Sequence, residues 1–255
     1  MKRIVLISAL PFLCFQLFAQ ENNPDLPAGG TVRYTETVKL NIKVEGMPAD
    51  MVAAMPKERK SEKVLVFNQT HSLFSNDMRV AANENVMSGG GMTIAFRGAD
   101  PENQLYYNLQ DQKKIERREF MTRVFLIEDQ VNTASWKLTG NEKSILNYPC
   151  QEATREVNER TERVWFTPAI PISTGPGEFL GLPGLVLEAD INNGERILTV
   201  TSVELGDIDK TLLTRPRKGT RVTQEEFDEI VREKMEEMGA QQGSAGGTFI
   251  IRTER

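Results

Sequence analysis

Most of the chain alternates polar and apolar residues over short stretches separated by turn residues. A period of two suits a half-buried strand, whose successive side chains point to opposite faces, and it does not suit a helix. The pattern predicts strands over 31–44, 63–74, 92–96, 104–109, 114–118, 125–128, 135–138, 151–157, 162–166, 185–191 and 196–203. Short connections with no regular helix between them disfavour parallel βαβ units. The expected fold is therefore mainly β, a curved antiparallel meander open on one side like a half-barrel. The clearest hairpin lies around Asn193-Gly194: Leu185, Leu187, Ala189 and Ile191 share a face before it, and Ile197, Leu198 and Val200 follow it. Asn-Gly supplies the positive φ angles of a type I′ turn. A looser hairpin is expected at 157–161.

One amphipathic helix is expected near the C-terminus, at 224–238 within the segment 223–239. Thr223 and Glu226 are spaced as a capping box, and Gly239 is its expected stop. Phe227, Ile230, Val231, Met235 and Met238 line one face, whereas the other face is mostly acidic. That distribution favours a helix packed across the sheet over one lying on a membrane. Residues 240–247 read as a linker, with 248–252 as a further edge strand. Segment 46–62, ending in the charge run Lys57-Glu58-Arg59-Lys60-Ser61-Glu62, and the bend Ser88-Gly89-Gly90-Gly91 are both expected at the sheet rim.

The N-terminus bears on compartment. Lys2-Arg3, the apolar run 4–19 and the polar exit from Gln20 read as a signal peptide over 1–19, because the run is too short for a spanning helix. Residues 20–255 are then one domain, with no transmembrane segment, exported to the periplasm or outer envelope of a Gram-negative cell. Cys14 lies in the leader without the small neighbours that lipidation requires, so Cys150 is the one exported cysteine. An internal disulfide is excluded, and Cys150 is expected as a small buried hydrophobe. The net charge of −5 argues against a nucleic-acid partner.

Candidate sites are sparse. His71 is the sole histidine, which excludes multi-histidine metal sites. Strand parity with Leu65, Phe67 and Leu73 points it at the apolar face, as a core or rim residue and not a general base. No recognised hydrolase, kinase or calcium spacing is present, so an uncharacterised hydrolase ranks last, and no cofactor is expected. Met47, Met51 and Met55 stand four apart, which on a short helix would align three soft thioether ligands for Cu(I). This is the alternative to a binding role.

The densest signal is residues 168–184, PAIPISTGPGEFLGLPG, with four prolines and four glycines. Fixed proline φ and free glycine φ describe a loop of defined shape. Gly175, Pro176, Gly181, Pro183 and Gly184 are its structural residues, and Leu182-Pro183-Gly184-Leu185 fits a type II turn. Ile170, Ile172, Phe179, Leu180 and Leu182 make it apolar, so packing over the open side of the sheet is expected. Trp136, Trp165, Phe166, Phe179 and Leu182 are the candidate binding residues of a concave inner wall.

Gly181-Leu182-Pro183-Gly184-Leu185-Val186, with Trp136-Lys137-Leu138, Ile145, Tyr148-Pro149-Cys150, Val164-Trp165-Phe166-Thr167, Ile170-Pro171 and Gly175-Pro176, resembles the GLPGLI family of exported Gram-negative proteins. Val186 replaces the final isoleucine. The resemblance covers most of the exported chain and implies no activity and no catalytic residue. Its strand-rich pattern is similar to that of periplasmic lipoprotein carriers, by fold analogy. The expectation is a non-catalytic envelope protein that binds an apolar small molecule or an envelope protein partner on a concave sheet face.

Overall fold

The structure, a computed structural model, describes residues 28–40, 55–79, 85–89, 92–96, 103–131, 135–157 and 159–242. The described strands are β1 (Gly29–Lys39), β2 (Glu58–Asn68), β3 (His71–Asn76), β4 (Asn85–Gly89), β5 (Met92–Phe96), β6 (Gln104–Asn108), β7 (Lys113–Phe120), β8 (Arg123–Gln130), β9 (Lys137–Ile145), β10 (Tyr148–Val157), β11 (Arg160–Thr167), β12 (Leu185–Ile191), β13 (Arg196–Leu205) and β14 (Thr220–Val222). One helix, α1 (Gln224–Gln242), follows them. Strands β4 and β5 form a separate ribbon. The other twelve make one open sheet in the order β14-β8-β7-β6-β3-β2-β1-β13-β12-β11-β10-β9. Pairing is antiparallel except between β14 and β8. The protein is thus mainly β, as the alternation predicts.

One residue shows that this sheet curls. Glu178, in the connection between β11 and β12, accepts Lys114 Nζ from β7 at 2.9 Å through its carboxylate, and Arg155 Nη2 from β10 at 3.2 Å through its carbonyl. Eight inter-strand steps separate β7 from β10. On a flat sheet that is roughly 38 Å, beyond the reach of two side chains and one residue between them. The sheet therefore bends toward the 168–184 loop, as large twisted sheets do, and the loop lies on its concave face. Val32, Tyr34, Leu65, Phe67, Phe74, Leu105, Tyr107, Ala153, Val164, Leu187 and Leu198 form the core there, together with the loop's own apolar residues.

Several predicted elements change at their ends, each for a local reason. The single strand expected over 63–74 is two, because Asn68 Oδ1 accepts from the backbone N–H of Thr70 and His71 at 2.8 and 2.7 Å and closes a turn. The charge run at 58–62 is strand, pairing with Thr35–Lys39, and not rim loop. The Asn193-Gly194 hairpin forms, but Ile191 pairs with Arg196, and Asn192, Asn193 and Gly194 all have positive φ. The connection is four residues long, held by Gly194 N–H donating to Asp190 Oδ1 at 2.5 Å. The hairpin at 157–161 is tighter than expected, with Val157 paired to Arg160. Strand β9 runs on to Ile145, well past the expected end at 138.

Helix α1 starts where predicted. Glu226 N–H donates to Thr223 Oγ1 at 3.2 Å, and Thr223 N–H to Glu226 Oε2 at 2.8 Å, completing the capping box. It passes through Gly239 to Gln242, so the predicted stop and the first residues of the predicted linker are helical. Phe227 is buried among Phe120, Phe125 and Ile127, with Ile230 and Val231 beside it, while Met235 is exposed. Register through β6, β7 and β8 puts Ile127 on the same face as Leu105. Loop and helix therefore cover the same face, at opposite ends of the sheet. No helix among the described residues is long and apolar enough to cross a membrane. The expected signal peptide and the 248–252 strand lie outside the described residues.

Candidate functional site

The loop folds as a compact plug. Its apolar residues Ile170, Phe179, Leu180 and Leu182 are at most 5% exposed. Backbone bonds lock it to the following strand: Leu185 N–H donates to Ile170 O and Val186 N–H to Thr174 O, both at 3.0 Å. Side chains from distant strands hold it from the sheet side. Tyr34 Oη donates to Val186 O at 2.7 Å, Thr174 Oγ1 to Ser72 Oγ at 3.0 Å, and Trp136 Nε1 to Leu180 O at 2.7 Å. These bonds satisfy polar groups that burial would otherwise penalise.

Glycine serves two purposes in the loop. Gly177 and Gly181 have positive φ. Gly184 does not, so the expected type II turn at Leu182-Pro183-Gly184-Leu185 is not made. Its requirement is steric: a Cβ on Gly184 would lie 2.2 Å from the carbonyl oxygen of Thr167. Gly175 is similar, with a would-be Cβ 2.7 Å from Val186 Cβ. Close approach of loop to sheet needs glycine at both positions. Pro168, Pro171 and Pro183 face outward, and Pro176 is buried.

Among the candidate binding residues, Phe166, Phe179 and Leu182 are buried together in the core. Trp136 is half-buried beside them, its ring 6.3 Å from Phe179 and covered by the Arg155 guanidinium at 4.3 Å. Trp165 does not join that wall: it stands opposite Glu188, with Lys143 Nζ 4.3 Å from its ring centre, on the reverse face from Val164. Cys150 is buried, donates to Tyr148 O at 3.4 Å, and has its thiol pKa pushed up by burial. Met47 and Met51 lie outside the described residues, and Met55 is half-buried.

The concave face also carries a buried charge cluster. Glu36 lies between Arg196 at 2.6 Å and Lys63 at 3.2 Å, and accepts from Ser61 Oγ at 3.1 Å. Burial alone would raise its pKa, but the two cations outweigh burial and lower it to about 2.

The turn at Asn68 reverses the parity of β3, so His71 points to the reverse face and not, as expected, to the apolar one. There it lines a cleft of about 550 Å³ with Tyr106, Asn108, Lys113, Ile115, Glu128, Gln130 and Arg215. Sequence reasoning missed this cleft, because its floor is assembled from four strands and its wall from the segment before β14. The signal lay in Asn68, whose side chain ends the preceding strand. The imidazole Nδ1 shares a 2.7 Å hydrogen bond with Thr70 Oγ1, and the ring sits 5.6 Å from that of Tyr106. Burial raises the Tyr106 phenol pKa, and Arg215 opposes the rise. No group of three or more His, Cys, Asp or Glu able to hold a metal occurs among the described residues.

Fold and site together define an open, curled β-sheet protein whose concave face is filled by its own loop. A family model described as a protein of unknown function (Porph_ging) matches residues 155–188, which span the end of β10, β11, the loop and the start of β12. No curated protein matches the chain. Two solved structures are similar in fold, PNGF-II in a P21 and in a C2 crystal form, each with 18% sequence identity. The TM-scores are 0.55 and 0.53, over 81% and 80% of this chain. The chain spans about a third of PNGF-II, 34% and 33% of the two chains.

Proposed function

We infer that this chain is an exported, non-catalytic cell-envelope protein of the GLPGLI type, which binds a protein partner at its surface and does not enclose an apolar small molecule. The carrying observation is the filled concave face: Phe179, Leu180 and Leu182 occupy the space that an apolar ligand would need. The rigid outer side of the loop, with exposed Pro168, Pro171 and Pro183, is the surface left for a partner. A shape fixed by proline and close-packed glycine loses little conformational entropy on docking. The apolar leader over 1–19 and the Gly181–Val186 segment support export and family. The histidine supports a non-catalytic reading, since Nδ1 meets a threonine hydroxyl and, among the described residues, no carboxylate bonds to the ring.

Titration of the purified chain with a fluorescent fatty acid tests this, alongside fractionation of the native cell. The expected result is no saturable binding and recovery in the envelope fraction. Stoichiometric binding, strengthened when Phe179 is replaced by alanine, would instead establish an apolar carrier.

A further inference from the structure

The cleft on the reverse face has a composition that specifies a ligand. Strand register places His71, Asn108, Lys113 and Gln130 side by side across β3, β6, β7 and β8, and Tyr106, Ile115 and Glu128 in the next row. An aromatic and an aliphatic residue thus form a floor, with a row of hydrogen-bonding groups along one side. Arg215 completes the lining. About 550 Å³ falls within the range of small-ligand clefts, ~300–1,000 Å³.

Charge restricts the ligand further. The carboxylates Asp111 and Glu128 at the cleft offset the cations Lys113 and Arg215, whereas register turns Lys114 and Asp129 to the concave face. Arg215 is already paired with Glu128, at 3.4 Å. An anionic ligand would have to break this pair and approach the carboxylates. An alkyl chain would strand the polar row without partners. What remains is a neutral molecule with an apolar face for Tyr106 and hydroxyls for planar donors and acceptors such as Gln130 and the His71 ring, the Asn108 amide being engaged with Gln110 and Asp111. That description is a saccharide.

We propose that the cleft between His71, Tyr106, Gln130 and Arg215 binds an uncharged saccharide, one pyranose face lying on Tyr106 and its hydroxyls bonding to Gln130 and to Nε2 of His71. The site rests on the non-catalytic reading but uses the face opposite the loop, so the fatty-acid titration can fail without affecting it. Hydroxyl bonds replace water bonds at an open rim, so Kd values of ~0.1–1 mM are expected.

The test is an NMR titration of the full chain with N,N′-diacetylchitobiose, maltotriose and mannotriose, run beside a sulfated disaccharide and adenosine. Saturable shifts at His71, Tyr106 and Gln130 with at least one neutral sugar are expected. Gln130→Ala should weaken binding severalfold and Tyr106→Ala about tenfold, whereas Tyr106→Phe, which keeps the ring, should change it little. Gln130 is exposed, so that variant leaves the fold intact. No shift with any neutral sugar at ~50 mM, well above the expected Kd, would overturn the proposal. So would shifts confined to other residues, or binding only of the sulfated sugar or adenosine.

Discussion

The two ends of the concave face are covered in different ways. At one end the 168–184 loop has no repetitive structure, yet its apolar residues are part of a core that reaches from β10 to β6. At the other, α1 is nineteen residues of regular helix held by one aromatic cluster, in which Phe227 meets Phe125 at 5.3 Å and Phe120 at 6.1 Å, with Arg118 4.9 Å from its ring. Regularity and attachment are therefore inverted. The helix satisfies its own backbone and can leave the sheet at modest cost, whereas the loop's backbone bonds exist only in place.

The largest expected effect comes from cutting into the loop's anchor. Phe179→Ala should cost about 4 kcal/mol in urea unfolding and lower the stability of the whole sheet. A loss confined to the loop would erase the contrast.

Next is the seam between the halves, where Glu36 in β1 joins β13 through Arg196 and β2 through Lys63. Its pKa falls from 4.5 to about 2 on folding. The contribution is therefore present above pH 4.5 and lost as pH falls toward about 2, at most about 3 kcal/mol. Glu36→Gln should flatten the stability profile across that window, and an unchanged acid limb would place the acid sensitivity elsewhere.

In the helix half, Phe227→Ala should cost about 2 kcal/mol and appear as loss of helical circular dichroism, with the sheet signal retained. Loss of both signals together would make the helix part of the main core. Smallest is Thr223→Ala, which removes one capping bond and should cost about 1 kcal/mol.

The contrast also explains what could be read from sequence. Strand β12 is legible because Leu185, Leu187 and Ala189 alternate with residues of the other face, and the start of α1 because Thr223 and Glu226 cap within four residues. Periodicity carries through Asn68 without a break, so alternation alone hid the reversal at β3 and the cleft it creates, and only the turn-forming Asn68 side chain marks them. The loop's apolar character was visible, but not that Gly184 is needed for contact with Thr167 and not for its φ. Local pattern encodes elements. Close approaches between distant segments leave only an unexplained glycine.

Native-state hydrogen exchange tests the central claim, that the loop is an integral plug. The amides of Thr174, Leu185 and Val186 should exchange only through global unfolding, together with β12 and β13, while those of α1 exchange ~100-fold faster through local opening. Exchange of the Thr174 and Val186 amides at the helix rate would contradict it, and would make the loop a movable cover over an open site.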